Sequence, residues 1–228
     1  MMPAGGSINL MRTIAIIVGV SVAAALLSVV YLQHRSLTDM RGRLDLLEPG
    51  AVDEGFAQSM ALHHQQAITM AQLMLDGRPT RLSLLARRIQ GAQALELGEM
   101  RGWLQAWGKP LLPNSRSMGW MLLGDRSPDA ALVQYLLDCE KSETGMPGLA
   151  TNAELNRLRT SSGDERDRLF LQMMLDHHQG GIPMARFAAD NAKIAVVRRL
   201  AARIVLDQSE EIASMRLLMQ AADLRPVN

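Results

Sequence analysis

The chain has 228 residues, a formal net charge of +1 and only 4% aromatic residues. A charge so near neutral leaves no electrostatic footprint for nucleic acid. The single cysteine, Cys139, excludes an internal disulfide and a cysteine-based zinc site.

The length suits one folded domain plus a small extra segment. Leu, Ala, Arg, Gln, Glu and Met dominate, with 16 methionines, and this composition favours helix. Cys139 reads as a small buried hydrophobe. After a short tail (residues 1–13), Ile14 to Leu32 carries no charge and lies between Arg12 and His34-Arg35. As a helix, that stretch is long enough to cross a bilayer core. It continues past Ala23-Ala24-Ala25, where a cleaved signal peptide would end, so residues 14–32 read as an uncleaved transmembrane signal anchor. Arg12 precedes the span and Arg35, Arg41 and Arg43 follow it, which on the positive-inside count keeps the remainder in the cytoplasm. The histidine chemistry described below suits an exported domain instead, and the expectation is a single-pass protein with its folded part outside the cytoplasm.

Residues 33–50 form a juxtamembrane connector ending at Pro49-Gly50. Asp53 is a candidate N-cap for a helix running to about Asp76, where Gly77-Arg78-Pro79 stops it. A second helix starts near Pro79 and ends at Trp107, before Gly108-Lys109-Pro110, so residues 51–107 make a helical hairpin. Residues 108–163 are a crossover with short helices. Ser127-Pro128 starts one of them, Gly145-Met146-Pro147-Gly148 turns, and Thr151 with Glu154 is a capping box. The segment holds too many Leu, Met and Trp residues for a disordered linker. A second hairpin, residues 164–222, is predicted as helices from Asp164 to Asp190 and Ala192 to Ala222, followed by a tail (223–228).

The two hairpins are copies. Phe56, Gln58, Met60, His63-His64-Gln65, Ile68, Met70 and Ala71 recur 114 residues later as Phe170, Gln172, Met174, His177-His178-Gln179, Ile182, Met184 and Ala185. Four of the five histidines lie in these stretches. Leu85, Ala86, Ile89, Gln93, Glu96 and Met100 recur at an offset of 115 as Leu200, Ala201, Ile204, Gln208, Glu211 and Met215. Two hairpins bury their apolar faces by packing into a four-helix bundle, so the fold class is all-α.

At about 100° per residue, Met60, His63, His64, Ala67, Met70, Ala71 and Met74 share a stripe roughly 120° wide, the width of a core-facing surface. Met174, His177, His178 and Met184 fall at the same angles in the second copy. On the partner helices, Gln93 and Glu96, and likewise Gln208 and Glu211, share a face with the buried isoleucines. An inward glutamate needs a partner, and a carboxylate opposite an imidazole fixes its tautomer, as around a histidine ligand. Two readings follow. One is a structural or interaction bundle in which a His-Gln-Glu network only satisfies itself. The other is metal binding through Met60, His63, His64, Met70, Met174, His177, His178 and Met184, supported by Gln93, Glu96, Gln208 and Glu211. Imidazole together with thioether selects copper, above all Cu(I), because thioether is a soft ligand.

A di-iron carboxylate centre would need Glu-x-x-His on two helices, whereas Met60 and Met174 occupy those glutamate positions. No Ser-His-Asp or Cys-His arrangement is suggested, so catalysis has no candidate residue. Met118, Met121 and Met146 in the crossover are either core fillers or peripheral thioethers. Pro183, with Gly180 and Gly181, is expected to bend the third long helix.

The duplicated Met-x-x-His-His-Gln motifs, each followed by Gln-x-x-Glu-x-x-x-Met, and the Gly145-Met146-Pro147-Gly148 turn resemble the family called domain of unknown function 305. The resemblance covers about residues 50–222. It implies a ferritin-like bundle, usually exported, with copper binding in some members. Gly181 stands where that family commonly has Ala, and Leu149 where it often has Met. The expected function is sequestration or handling of copper, with the membrane and a metal-donor or metal-acceptor protein as partners.

Overall fold

The structure is a computed structural model that describes residues 5–45 and 48–221; among them it is all-helical. Two separate units are present, one ending at Glu48 and the other beginning at Pro49.

In the first unit, α1 (Gly5–Asp45) includes a stretch, Ile16–Met40, long and apolar enough to cross a membrane, whose residues are exposed. The helix does not stop where the apolar run ends: it passes Arg35 and continues to Asp45, where the sequence suggests a connector.

The second unit is built from α2 (Ala51–Met74), α3 (Ser83–Ala106), α4 (Ala130–Lys141), α5 (Asn152–Thr160), α6 (Gly163–Asn191) and α7 (Ala195–Ala221), with a 3₁₀ turn at Gly119–Leu122. The hairpins α2–α3 and α6–α7 pack through α2 against α6, and side chains of α7 reach α3, where Arg203 meets Glu99 at 2.8 Å. These contacts close the four-helix bundle. Its core divides into two apolar clusters. One gathers Phe56, Met60, Met100 and Leu104 with Met184 and Ile204. The other gathers Met70, Met74 and Ile89 with Phe170, Met174 and Met215. Because the start of α2 shares a cluster with the end of α6, these helices run antiparallel. The methionines flanking one histidine motif therefore fall in different clusters, each grouped with a methionine of the other motif.

Two capping details differ from the sequence reading. The N-cap of α2 is Gly50, and Asp53 sits three residues inside, accepting from the Gly50 N–H at 2.8 Å. Its carboxylate also accepts from the backbone N–H of Ile194 at 2.9 Å and Lys193 at 3.2 Å, at the start of α7. Helix α4 is capped by Asp129, which accepts from Leu132 N–H, and not by the Ser127-Pro128 pair. Thr151 and Glu154 do form a capping box on α5. Helix α6 runs without interruption through Pro183.

Candidate metal centre

Between the two apolar clusters lies a polar layer made almost wholly of the repeated residues. His63, His64, His177 and His178 have no exposed surface, and Gln93, Glu96, Gln208 and Glu211 are buried beside them. Their placement follows from helical spacing: each His-His pair lies between its flanking methionines on the inward face of α2 or α6. The supporting pairs face them from α3 and α7.

The two hairpins are wired internally in the same way. His64 Nε2 lies 2.7 Å from Glu96 Oε2, and His178 Nε2 lies 2.6 Å from Glu211 Oε2. Across the pseudo-twofold, the His63 and His177 rings stack with centroids 3.7 Å apart and planes tilted by 38°. His177 Nε2 also meets the backbone carbonyl of His63 at 2.9 Å. All three imidazole hydrogen bonds use Nε2. A ring bonded through Nε2 leaves Nδ1 outside that bond, as in His64, His177 and His178. Those Nδ1 atoms, both nitrogens of His63, and the side-chain amides of Gln93 and Gln208 are buried without a hydrogen-bond partner among the described residues.

Burial holds the His63 pKa well below the ordinary value, with the neighbouring His177, His64 and His178 adding to the effect. Burial does the same for His177, where His178 and His64 also lower it and the bond to the His63 carbonyl partly opposes. Both rings are therefore neutral near pH 7, the form that ligates metals.

One glycine explains how the rings fit. A Cβ on Gly181 would lie 2.9 Å from His63 Cε1 and 3.1 Å from Gln208 Oε1. The matching position in the first hairpin is Ala67, so the two halves are not equivalent. A second device covers the layer. The turn from Gly145 to Ala150 spans α2 and α6 beside the histidines: Gln66 donates to the Ala150 carbonyl at 2.8 Å and accepts from its N–H at 2.6 Å. Gly148, at φ +81°, sits where a Cβ would be 2.3 Å from the Asp176 carbonyl oxygen and 2.9 Å from His177 Cα. Gly180 leaves room for the Pro147 carbonyl, which would stand 1.9 Å from a Cβ there.

Of the sequence-derived candidates, His63 and His177 come together directly, and His64 and His178 are each joined to their glutamates. Met60 and Met184 border the layer on one side, Met70 and Met174 on the other. Met118, Met121 and Met146 pack in the crossover, within the same cluster as Met60. Among the described residues no group of three or more His, Cys, Asp or Glu side chains is placed to hold a metal ion. A hard cation or a di-iron pair would need such a group. A soft ion of low coordination number held by imidazole and thioether would not.

Sequence reading missed Asp167, which accepts from the Thr80 hydroxyl at 2.6 Å and the Arg81 N–H at 3.1 Å, as Asp53 does for the opposite turn. The signal was available, because Asp53 and Asp167 are themselves 114 residues apart. It also missed Arg166, buried at the end of α2 against the Leu73 carbonyl and 2.9 Å from Asp76.

The family model described as "Domain of unknown function (DUF305)" matches residues 53–219. The chain belongs to this DUF305 family. Its DUF305 bundle is similar to the crystal structure of a DUF305 protein from Streptomyces coelicolor that is described as secreted, at 32% identity and a TM-score of 0.65, covering 78% of this chain and 97% of that one. It is also similar to a DUF305 fragment from Deinococcus radiodurans, at 28% identity and a TM-score of 0.59, covering 76% and 99%. A third similar structure is CopM in a Cu(I)-bound form, at 28% identity and a TM-score of 0.53, covering 74% and 96%. CopM is also known in Cu(II)-bound and Ag-bound forms. No curated protein matches the chain.

Proposed function

We propose that this DUF305 protein is a membrane-anchored, extracytoplasmic copper-handling bundle that takes up Cu(I) at the His/Met layer between its two hairpins. The carrying observation is the set of buried imidazole nitrogens without partners, grouped around the 3.7 Å His63–His177 stack. Leaving buried polar atoms unpaired costs about 1–3 kcal/mol each, and a soft ion bound there would recover part of that cost. Met60, Met70, Met174 and Met184 supply soft donors on both sides. Glu96 and Glu211 orient His64 and His178 through Nε2, leaving Nδ1 outside those bonds. Copper and silver binding by CopM supports the choice of ion. The apolar span of α1 and the secreted relative support an anchored domain outside the cytoplasm. The role is storage or transfer, with copper as cargo, in exchange with a donor or acceptor protein.

A second reading is favoured by the complete burial of the four rings: a polar layer that only specifies hairpin pairing. Titration of the full chain in detergent with Cu(I) against a chromogenic Cu(I) chelator separates the two. The copper reading expects competition that falls at least tenfold in His63→Ala/His177→Ala, provided that circular dichroism shows the variant helical. Wild-type protein that leaves the chelator fully loaded would sink the copper reading and leave the packing role.

A further inference from the structure

A cavity of about 390 Å³ opens along the crossover, and two methionines from separate parts of that segment, Met118 and Met146, line it together. Met118 is also on the wall of an adjoining cavity of about 490 Å³ that contains Cys139. Each methionine is only 5% exposed. The smaller cavity has no carboxylate in its lining and carries the cationic Arg116, so a hard divalent cation has no anchor there. Thioether sulfur holds soft ions without a charge of its own. Cys139 lines the adjoining cavity but not this one, so Met118 and Met146 are the sulfur donors of the smaller cavity.

Position adds a second argument. Ser59 and Leu62, on the same cavity wall, are the α2 residues immediately before Met60 and His63. On the other side Met146 leads into Pro147 and Gly148, whose backbone rests on Gly180, Asp176 and His177. The cavity thus lies against both walls of the histidine layer, separated from it by α2 and by the Gly145–Ala150 turn.

We propose that Met118 and Met146 form an outer docking site for a soft monovalent ion, from which the buried His/Met layer is filled. This rests on the copper reading, and the test keeps the two apart. Met121 supplies the control: it belongs to the same apolar cluster at 1% exposure but does not line the cavity. Met→Leu conserves volume and costs little stability.

Ag(I), which undergoes no redox change during titration, is the probe, and equilibrium binding by the full chain in detergent is the readout. Met118→Leu/Met146→Leu is expected to lose about one Ag(I) per chain and to slow Ag(I) uptake by the remaining sites, while Met121→Leu matches wild type. An unchanged stoichiometry and uptake rate in the double variant, or an equal loss in Met121→Leu, would overturn the docking site and leave the copper reading standing. A wild-type chain that binds no Ag(I) would overturn both.

Discussion

At the scale of single residues, the state of His63 and His177 sets how the metal-free protein responds to acid. Both rings are fully buried and their pKa values are lowered, foremost by burial. The unfolded chain, with histidines near 6.5, therefore takes up protons first as the pH falls. Stability from keeping these rings neutral is complete above about 6.5 and declines as the pH drops below it toward their folded values, by up to about 1.4 kcal/mol per histidine per pH unit. Urea unfolding of metal-free protein at pH 6.5 and 5.5 should show this loss, and His63→Gln/His177→Gln should show a shallower one. Equal slopes in the two proteins would mean that the rings are already charged or solvated. The residue scale was only half legible in sequence. That the histidines face inward follows from helical angles, and that a glutamate meets a histidine from the rarity of unpartnered buried glutamate. The choice of His64 over His63 as the partner of Glu96 is set by the packing of α3 on α2. That His177 spends Nε2 on the His63 carbonyl depends on the depth and stagger of α2 against α6, which no pattern within either helix records.

Among the elements, the two hairpins are fastened by an exchange of carboxylates. Asp53 of α2 receives the N–H groups that open α7, and Asp167 of α6 receives Thr80 and Arg81 ahead of α3. An anion at a helix N-terminus also meets the positive end of its dipole. Each tie joins one hairpin to the turn of the other, so removing it loosens the bundle and not merely a helix end. Asp53→Ala should destabilise by about 3 kcal/mol, because it leaves buried backbone N–H groups unpaired. Asp167→Ala should cost less, about 1–2 kcal/mol, because its partners at Thr80 and Arg81 are only part-buried. The double variant should come close to the sum, since the two ties share no partner. Chemical denaturation measures all three, and a loss below about 0.5 kcal/mol for either single variant would contradict the tie. Sequence placed Asp53 at the helix start but assigned its carboxylate to its own helix. The bonds that matter span about 140 residues of chain, and capping patterns, being local, do not reach that far.

For the molecule as a whole, anchoring and folding are separable tasks. Unit one holds an apolar helix long enough to cross a membrane, and unit two carries both apolar clusters and the histidine layer. Residues 49–228 should therefore partition to the soluble fraction while the full chain stays with alkali-washed membranes; finding both in one fraction would contradict an anchor. The four-helix architecture was the most legible feature of all, because a repeat at a fixed offset announces two copies of one unit, and a hairpin cannot bury its face alone. The crossover was the least legible. Its short helices came from local caps, but the docking of Gly148 on His177 and of Pro147 on Gly180 depends on where the chain returns.

Gln66 and Gly180 occupy matching places in the two repeats and do opposite jobs. The glutamine reaches out to hold Ala150, and the glycine withdraws to admit Pro147. A pair of identical hairpins could not do both with one residue type, and a pair joined by a single connection has only one strap to accommodate. With one strap for two hairpins, the copies have to differ where it crosses them, and the two faces of the bundle are not interchangeable.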